Sequence, residues 1–304
     1  MGQGQSFWSR LAIGLRRAQS SRHWSLVVLA LAFAFVAAAP FLTRPGLPRQ
    51  TDAELHVYRA AELGHTIRAG AFYPRWAPDF YYGYGYPIFN YYGPLTYYLA
   101  NLFDLLPGVD IVGGVKAVFV LGLLLASLGA YLLGRELFGP LAGVLAAASY
   151  TFAPYIVFID PHARGDLAEH FASCLLPLAF YAFRRLMSGV GGRWALLGSV
   201  LAPAALVFSH NLLGLVSSGL LAAYWAWEVV FRPVGLRKAQ RACGRAGWGG
   251  LAFALAAAII AFFWLPAFLE LSDIKLKVVV VGPGHFDFRE HFLSLGELLA
   301  PSRV

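Results

Sequence analysis

Long apolar runs govern what this chain can become. Seven stretches carry few or no charges, at about 25–42, 110–133, 140–159, 168–187, 194–208, 211–231 and 247–269. Crossing a bilayer core takes about 20 mostly apolar residues in a helix. A helix is also one of only two backbone forms that satisfy every peptide group there. The runs therefore predict an all-α polytopic membrane protein with about seven transmembrane helices and a large first extracytoplasmic loop. Composition agrees, with 59% hydrophobic and 13% charged residues against about 25% charged in soluble domains. A cytosolic enzyme, a disordered chain and a disulfide-built secreted domain are excluded. The two cysteines, Cys174 and Cys243, suggest neither a disulfide framework nor a zinc set.

Two of the runs need comment. The fifth is short, and its junction with the sixth at His210–Asn211 must be a tight hairpin or a break. In the first, Ala37-Ala38-Ala39 resembles a cleavage site, but the run is longer than a usual signal core, which favours an uncleaved anchor. The stretch 86–106 is rich in Tyr, Gly and Pro and reads as interfacial or re-entrant rather than spanning.

The charges set an orientation. Of 24 basic residues, 13 fall in four short segments: Arg10, Arg16, Arg17 and Arg22; Arg135; Arg184, Arg185 and Arg193; and Arg232, Arg237, Lys238, Arg241 and Arg245. With seven crossings all four lie on one side, which the positive-inside rule makes cytoplasmic. This gives a cytoplasmic N-terminal segment 1–24, a membrane core 25–269 with an outer loop at 43–108, and an outer segment 270–304. The net charge of +8 is then a topology signal, and no nucleic acid is expected as a partner. The expected setting is a bacterial-type inner membrane, with the lipid bilayer as the first partner. Nothing in the sequence addresses oligomeric state. Of 16 acids, all but Glu136 and Glu228 fall to the outer side. The rule used to orient the chain did not impose that, because acids contribute little to topology.

Candidate chemistry therefore sits outside. In the first outer loop Asp52, His56 and Arg59 share one face at helical spacing. A carboxylate beside an imidazole can bind a divalent metal or act as a general base. The plainer reading is that Thr51 or Asp52 caps a helix. Nine of the 15 tyrosines lie in 73–98. They suit a membrane interface, a sugar-stacking surface or the wall of a lipid groove. The second outer loop packs Asp160, His162, Arg164, Asp166, Glu169 and His170 into eleven residues. Asp160 and His162 can converge on one ion if the backbone is extended, with the metal left open. Arg164 suits a phosphate. His210 and Asn211 mark the third outer turn. Lys116 lies one or two turns inside the second run, within reach of the interface. In the last segment, Val278–Val281 followed by Gly282-Pro283-Gly284 reads as a strand and turn or an amphipathic lip.

Four blocks carry a resemblance: Asp52-Ala-Glu-Leu-His56, Tyr73-Pro-Arg-Trp-Ala-Pro-Asp79, Gly83-Tyr-Gly-Tyr-Pro-Ile-Phe-Asn-Tyr-Tyr-Gly-Pro-Leu-Thr-Tyr-Tyr98 and Arg164-Gly-Asp-Leu-Ala-Glu169. Over about 25–300 the chain resembles bacterial membrane proteins with a 6-pyruvoyl-tetrahydropterin synthase-related domain. These in turn resemble the GT-C glycosyltransferase superfamily. The resemblance implies a multi-span transferase with a polyprenyl-phosphate sugar donor and an essential acid soon after span one, a position Asp52 matches. It also implies a metal motif in the second outer loop, a position Asp160 and His162 match, with Mg²⁺ or Mn²⁺ as the possible ion. On this reading Asp52 is the catalytic residue, as general base or as a metal-ligating acid. Asp52, Asp160 and His162 are metal ligands. Arg75 and Arg164 bind phosphate, and His56, Glu169 and His210 are substrate-side groups. Such proteins are usually longer, so the resemblance also implies that 270–304 opens a truncated outer portion. Two other readings stay open: a flippase or transporter for lipid-linked substrates, and a non-catalytic membrane scaffold.

Overall fold

A computed structural model describes residues 7–48, 51–231, 236–274 and 292–300, and of 7–23, 236–243, 245, 298 and 299 the backbone alone. The basic clusters before Trp24 and around 232–245, and the expected strand at 278–281, lie outside the described side chains or residues. Two compact units divide the chain, Met1–Phe263 and Trp264–Val304. In the second, a short 3₁₀ turn (Leu271–Asp273) precedes the helix Leu295–Leu299, whose N-terminus is closed by a Ser294–Glu297 capping box.

Among the described residues the regular elements of the first unit are helices. Its helices are α1 (Phe7–Thr43), α2 (Ala53–Arg68), α3 (Ile88–Tyr91), α4 (Leu95–Asp104), α5 (Ile111–Phe138), α6 (Pro140–Thr151), α7 (Leu167–Ser188), α8 (Gly192–Ser209), α9 (Asn211–Val230) and α10 (Leu236–Ile259). The helix α11 (Ala261–Leu269) begins here and crosses into the second unit. A wide π-helical stretch, Tyr155–Arg164, joins α6 to α7. Among the described residues there is no strand, only one isolated antiparallel bridge between Ala77 and Tyr86.

Five stretches are long and apolar enough to cross a membrane: Trp24–Thr43, Ile111–Phe138, Pro140–Arg164, Gly192–Ser209 and Asn211–Val230. A sixth arises if Ala246–Ile259 and Ala261–Leu269, bent by 73°, are one span. The helix α7, 22 residues long, is not among them; it carries Glu169 and His170 near one end and Arg184 and Arg185 near the other. It packs against α5, α8, α9 and the π-helical stretch.

The distribution of side-chain sizes shows what solvent this bundle suits. On α1 four of the six buried positions are alanines, Ala30, Ala34, Ala37 and Ala38, beside Val27 and Phe41, while Val28, Phe35, Val36 and Leu42 are exposed. The helix α9 follows the pattern in part, with Gly214, Ser217 and Leu221 inside and Leu212, Leu215, Val216 and Leu220 outside. In water this arrangement leaves large apolar surface exposed; among lipid tails there is no such penalty, and small residues let helices approach closely. At the α5–α7 crossing a Cβ on Gly129 would stand 2.7 Å from the backbone nitrogen of Leu178. The hydroxyl of Ser127 donates across to the Ala30 carbonyl at 2.6 Å, tying α5 to α1.

The segment between α1 and α5 is folded. Its helix α2 lays Ala60 and Leu63 against α4, and the Asn101 amide donates to the Ala60 carbonyl at 2.8 Å. The helices α3 and α4, 4 and 10 residues long, are too short to span about 30 Å at 1.5 Å per residue. Lys116 reaches back from α5 and donates to the Arg44 carbonyl at 2.6 Å.

Candidate active site at the acidic end of the bundle

The π-helical stretch ends at Gly165, which takes φ +74° and turns the chain sharply into α7. This conformation favours glycine. The turn sets Asp160, Arg164, Asp166 and Glu169 around one point. Arg164 Nη1 lies 3.1 Å from Asp160 Oδ1 and 3.1 Å from Glu169 Oε2, and Nη2 lies 3.5 Å from Asp166 Oδ2. The Tyr155 hydroxyl closes the group, accepting from Arg164 Nη1 at 2.6 Å and donating to Glu169. Asp160 is fully buried and its Oδ2 has no hydrogen-bond partner. Arg164, by contrast, leaves 38% of its side chain open to the outside.

Asp166 has a second attachment. As N-cap of α7 it accepts from the Glu169 N–H at 3.0 Å. Its Oδ1 lies 3.3 Å from His56 Nε2, and His56 Nδ1 shares a 2.9 Å hydrogen bond with the buried Tyr97 hydroxyl. Arg59 completes this layer, donating to the Tyr97 hydroxyl at 3.3 Å with its guanidinium 4.5 Å from the Tyr92 ring centre. Burial works against the charged form of Asp166. The hydrogen bond and charge of His56 and the Glu169 N–H outweigh it and hold the carboxyl below the usual carboxylate range. Burial pushes the Tyr97 phenol up against the opposing pull of Arg59, so Tyr97 stays neutral.

A metal donor set exists here. One ligand atom each from Asp166, Glu169 and His210 lie within 4.8 Å of one another. His210 bridges α8 and α9 in an extended conformation, and its Nδ1 accepts from the Leu213 N–H at 3.2 Å. That leaves Nε2 as its ligand atom. Burial lowers the His210 imidazole despite the nearby carboxylates, which keeps it in the neutral form a metal needs. Two carboxylates and an imidazole fit a divalent cation. Ligand atoms at about 2.0–2.2 Å from one ion stand at most about 4.4 Å apart, so small side-chain rotations would have to close the set.

The residues singled out in the sequence fall into three groups. His56, Asp160, Arg164, Glu169 and His210 belong to the connected cluster. Asp52 adjoins it. Its N–H and the Thr51 hydroxyl both donate to the Arg164 carbonyl, at 2.8 and 2.9 Å, and its half-buried carboxylate does not cap α2. His162 and Arg75 point elsewhere. The His162 ring stacks on Phe41, centroids 4.6 Å apart, and Arg75 Nε donates to Asn90 Oδ1 at 2.6 Å. On a helical backbone, residues two apart face different sides, so the structure does not bring Asp160 and His162 together as an extended segment would.

Asp166 was the residue to find. The signal was in the sequence, since an Asp three residues before a Glu at a helix start is a capping signature. Tyr97 and Tyr155 had no distinguishing signal among so many tyrosines. Asn211 also has a definite place: its Oδ1 accepts from the Gly93 N–H at 3.0 Å and its amide donates to the Tyr91 carbonyl at 2.5 Å, pinning the tyrosine-rich segment beside His210. No known protein family's sequence profile matches the chain, and no curated protein matches it.

Proposed function

We propose that this chain forms the membrane core of a GT-C-type glycosyltransferase, which moves a sugar from a polyprenyl-phosphate donor to an acceptor at the extracytoplasmic face. The observation that carries this reading is the junction of two segments far apart in sequence. The start of α2, with Asp52, is hydrogen-bonded to the carbonyl of Arg164, whose side chain gathers Asp160, Asp166 and Glu169. Counting α7 and the bent α10–α11 pair as spans gives seven crossings. With the arginine-rich end inside, the N-terminus is cytoplasmic in a bacterial-type inner membrane and the acidic cluster faces out.

In this reading the acceptor hydroxyl oxygen forms the new bond to the anomeric carbon, and the bond from that carbon to the donor phosphate oxygen breaks. Asp52 takes the hydroxyl proton as general base, a role open to a carboxylate not engaged in capping. Arg164 offers exposed guanidinium N–H groups to the phosphate. Asp166, Glu169 and His210 would hold Mg²⁺ or Mn²⁺, which as a Lewis acid supplies charge stabilisation at the leaving phosphate. His56 fixes the orientation of Asp166.

The test is turnover by the full chain in proteoliposomes with labelled polyprenyl-phosphate sugars. Asp52→Asn is expected to reduce transfer at least about 10²-fold, the scale of a lost general base, with folding checked by the melting profile. Unchanged turnover sinks the assignment. Movement of donor across the vesicle without a new glycosidic bond would make the chain a carrier instead.

A further inference from the structure

The opposite end of the bundle holds a different feature. Here α5, α7 and α9 finish with two partly buried ion pairs: Arg184 to Glu228 at 3.0 Å and Arg185 to Glu136 at 3.4 Å. A glycine-rich turn, Gly189 to Gly192, then leads into α8, whose N-terminus has no side-chain cap. Two adjoining clefts open beside this turn. One of about 580 Å³ is lined by Arg185, Val190, Arg193, Leu196 and Trp248 among others. The other, of about 440 Å³, is walled by apolar residues of α7 and α8 such as Leu175, Leu178 and Leu201. They share Arg185 and Ala195. Together they form a groove with a cationic mouth and an apolar floor.

The mouth has cationic capacity to spare. Arg185 gives Nη1 to Glu136, while its other edge faces the turn: a Cβ on Gly191 would stand 3.5 Å from Nη2 and 3.6 Å from Nε. Arg193 is exposed, its guanidinium 5.3 Å from the Trp194 ring centre. Among the described residues the acids at this end are Glu136 and Glu228, and both already face arginines. A Cβ at Gly189 or Gly192 would meet nothing within 4 Å, so the mouth is open. A small inorganic anion would leave the apolar floor unused, and a zwitterionic lipid would leave Arg193 without a net countercharge. Basic pockets between membrane helices suit anionic head groups.

We propose that this groove is a binding site for an anionic phospholipid. The phosphate sits between the free edge of Arg185 and Arg193, and an acyl chain runs between α7 and α8 along Leu178 and Leu201. The site is independent of the transferase reading.

The test uses the full chain in neutral detergent with added phosphatidylglycerol or phosphatidylcholine, read by native mass spectrometry and thermal melting. Phosphatidylglycerol should be retained preferentially and raise the melting temperature. Arg193→Gln should weaken its retention about tenfold, the cost of one charged hydrogen bond. Leu201→Trp should weaken it by narrowing the groove without changing charge. Arg135→Gln, which removes one charge at the same end but does not line the groove, should leave it unchanged. An Arg135→Gln loss equal to that of Arg193→Gln overturns the site in favour of diffuse attraction. Equal stabilisation by inorganic phosphate overturns the lipid assignment, as does equal retention of phosphatidylcholine.

Discussion

His56 lies 1% exposed between a phenol and a carboxylate, and each contact has a separate consequence. Removing the Tyr97 hydroxyl by Tyr97→Phe leaves His56 Nδ1 buried without its partner, at a cost of about 1–3 kcal/mol. A lower melting temperature than wild type is expected in detergent. Tyr82→Phe, at a side chain 96% exposed, is expected to change stability by less than about 0.5 kcal/mol. Asp166 predicts a pH dependence. Its carboxyl is held below the usual range in the folded protein, so its contribution is full above the unfolded value of about 3.9. That contribution is lost as pH falls through the lower folded value. Melting temperature should drop as the medium is acidified below about pH 4, and Asp166→Asn should flatten that drop. Equal slopes would show that Asp166 makes no such contribution. At this scale the sequence was read in part. Glu169 stands out as an ionisable group at a span end, where its cost marks it, while Arg164 is read as a phosphate binder and His210 by its place at a turn. Pairing Asp160 with His162 rests on an extended backbone, and the chain there is π-helical.

Helices were more legible than their ends. Five of the seven apolar runs each fall on one helix, while 140–159 covers α6 and part of the π-helical stretch and 247–269 covers α10 and α11, bent by 73°; twenty apolar residues leave the backbone little alternative in lipid. The break at His210–Asn211 was visible because two spans meet there with no loop between them. The expected second outer loop was largely wrong in form, as apolar Tyr155–Ile159 carries helical structure on to Arg164. In the segment 43–108 the helical spacing of Asp52, His56 and Arg59 marks α2, while tyrosine and glycine interrupt the hydrophobic face of α3 and α4. Those tyrosines divide by position: Tyr97 is fully buried beneath His56, while Tyr81, Tyr82 and Tyr84 are 71%, 96% and 82% exposed. Interhelical contact yields its own test. With the Leu178 backbone 2.7 Å from a Gly129 Cβ, Gly129→Val cannot be absorbed by a side-chain rotation. It should force α5 from α7 at a cost of about 1–3 kcal/mol or more, lowering the melting temperature and the yield of folded protein. Val120→Ala, at a partly buried position on the same helix, should fold with a smaller loss.

At the scale of the whole molecule, two ends of opposite character face each other across an apolar belt. One gathers Asp52, Asp160, Asp166 and Glu169; the other gathers Arg135, Arg184, Arg185 and Arg193 with their two acids. Neither end alone fixes an orientation; the positive-inside rule would place the arginine-rich end on the cytoplasmic side. Single cysteines in a Cys174→Ser, Cys243→Ser background make that testable. Tyr82→Cys lies in the segment between α1 and α5, and Gly189→Cys lies in the turn between α7 and α8. In intact bacterial cells with a permeabilised outer membrane, a membrane-impermeant maleimide should label Tyr82→Cys directly. It should label Gly189→Cys only after the inner membrane is opened. Labelling of both from the same side would give an even number of crossings between the two sites, which removes one span from the region between α5 and α7. The acidic cluster and the basic groove would then face the same compartment, and the outward-facing transferase reading would fail on topology before any assay of turnover.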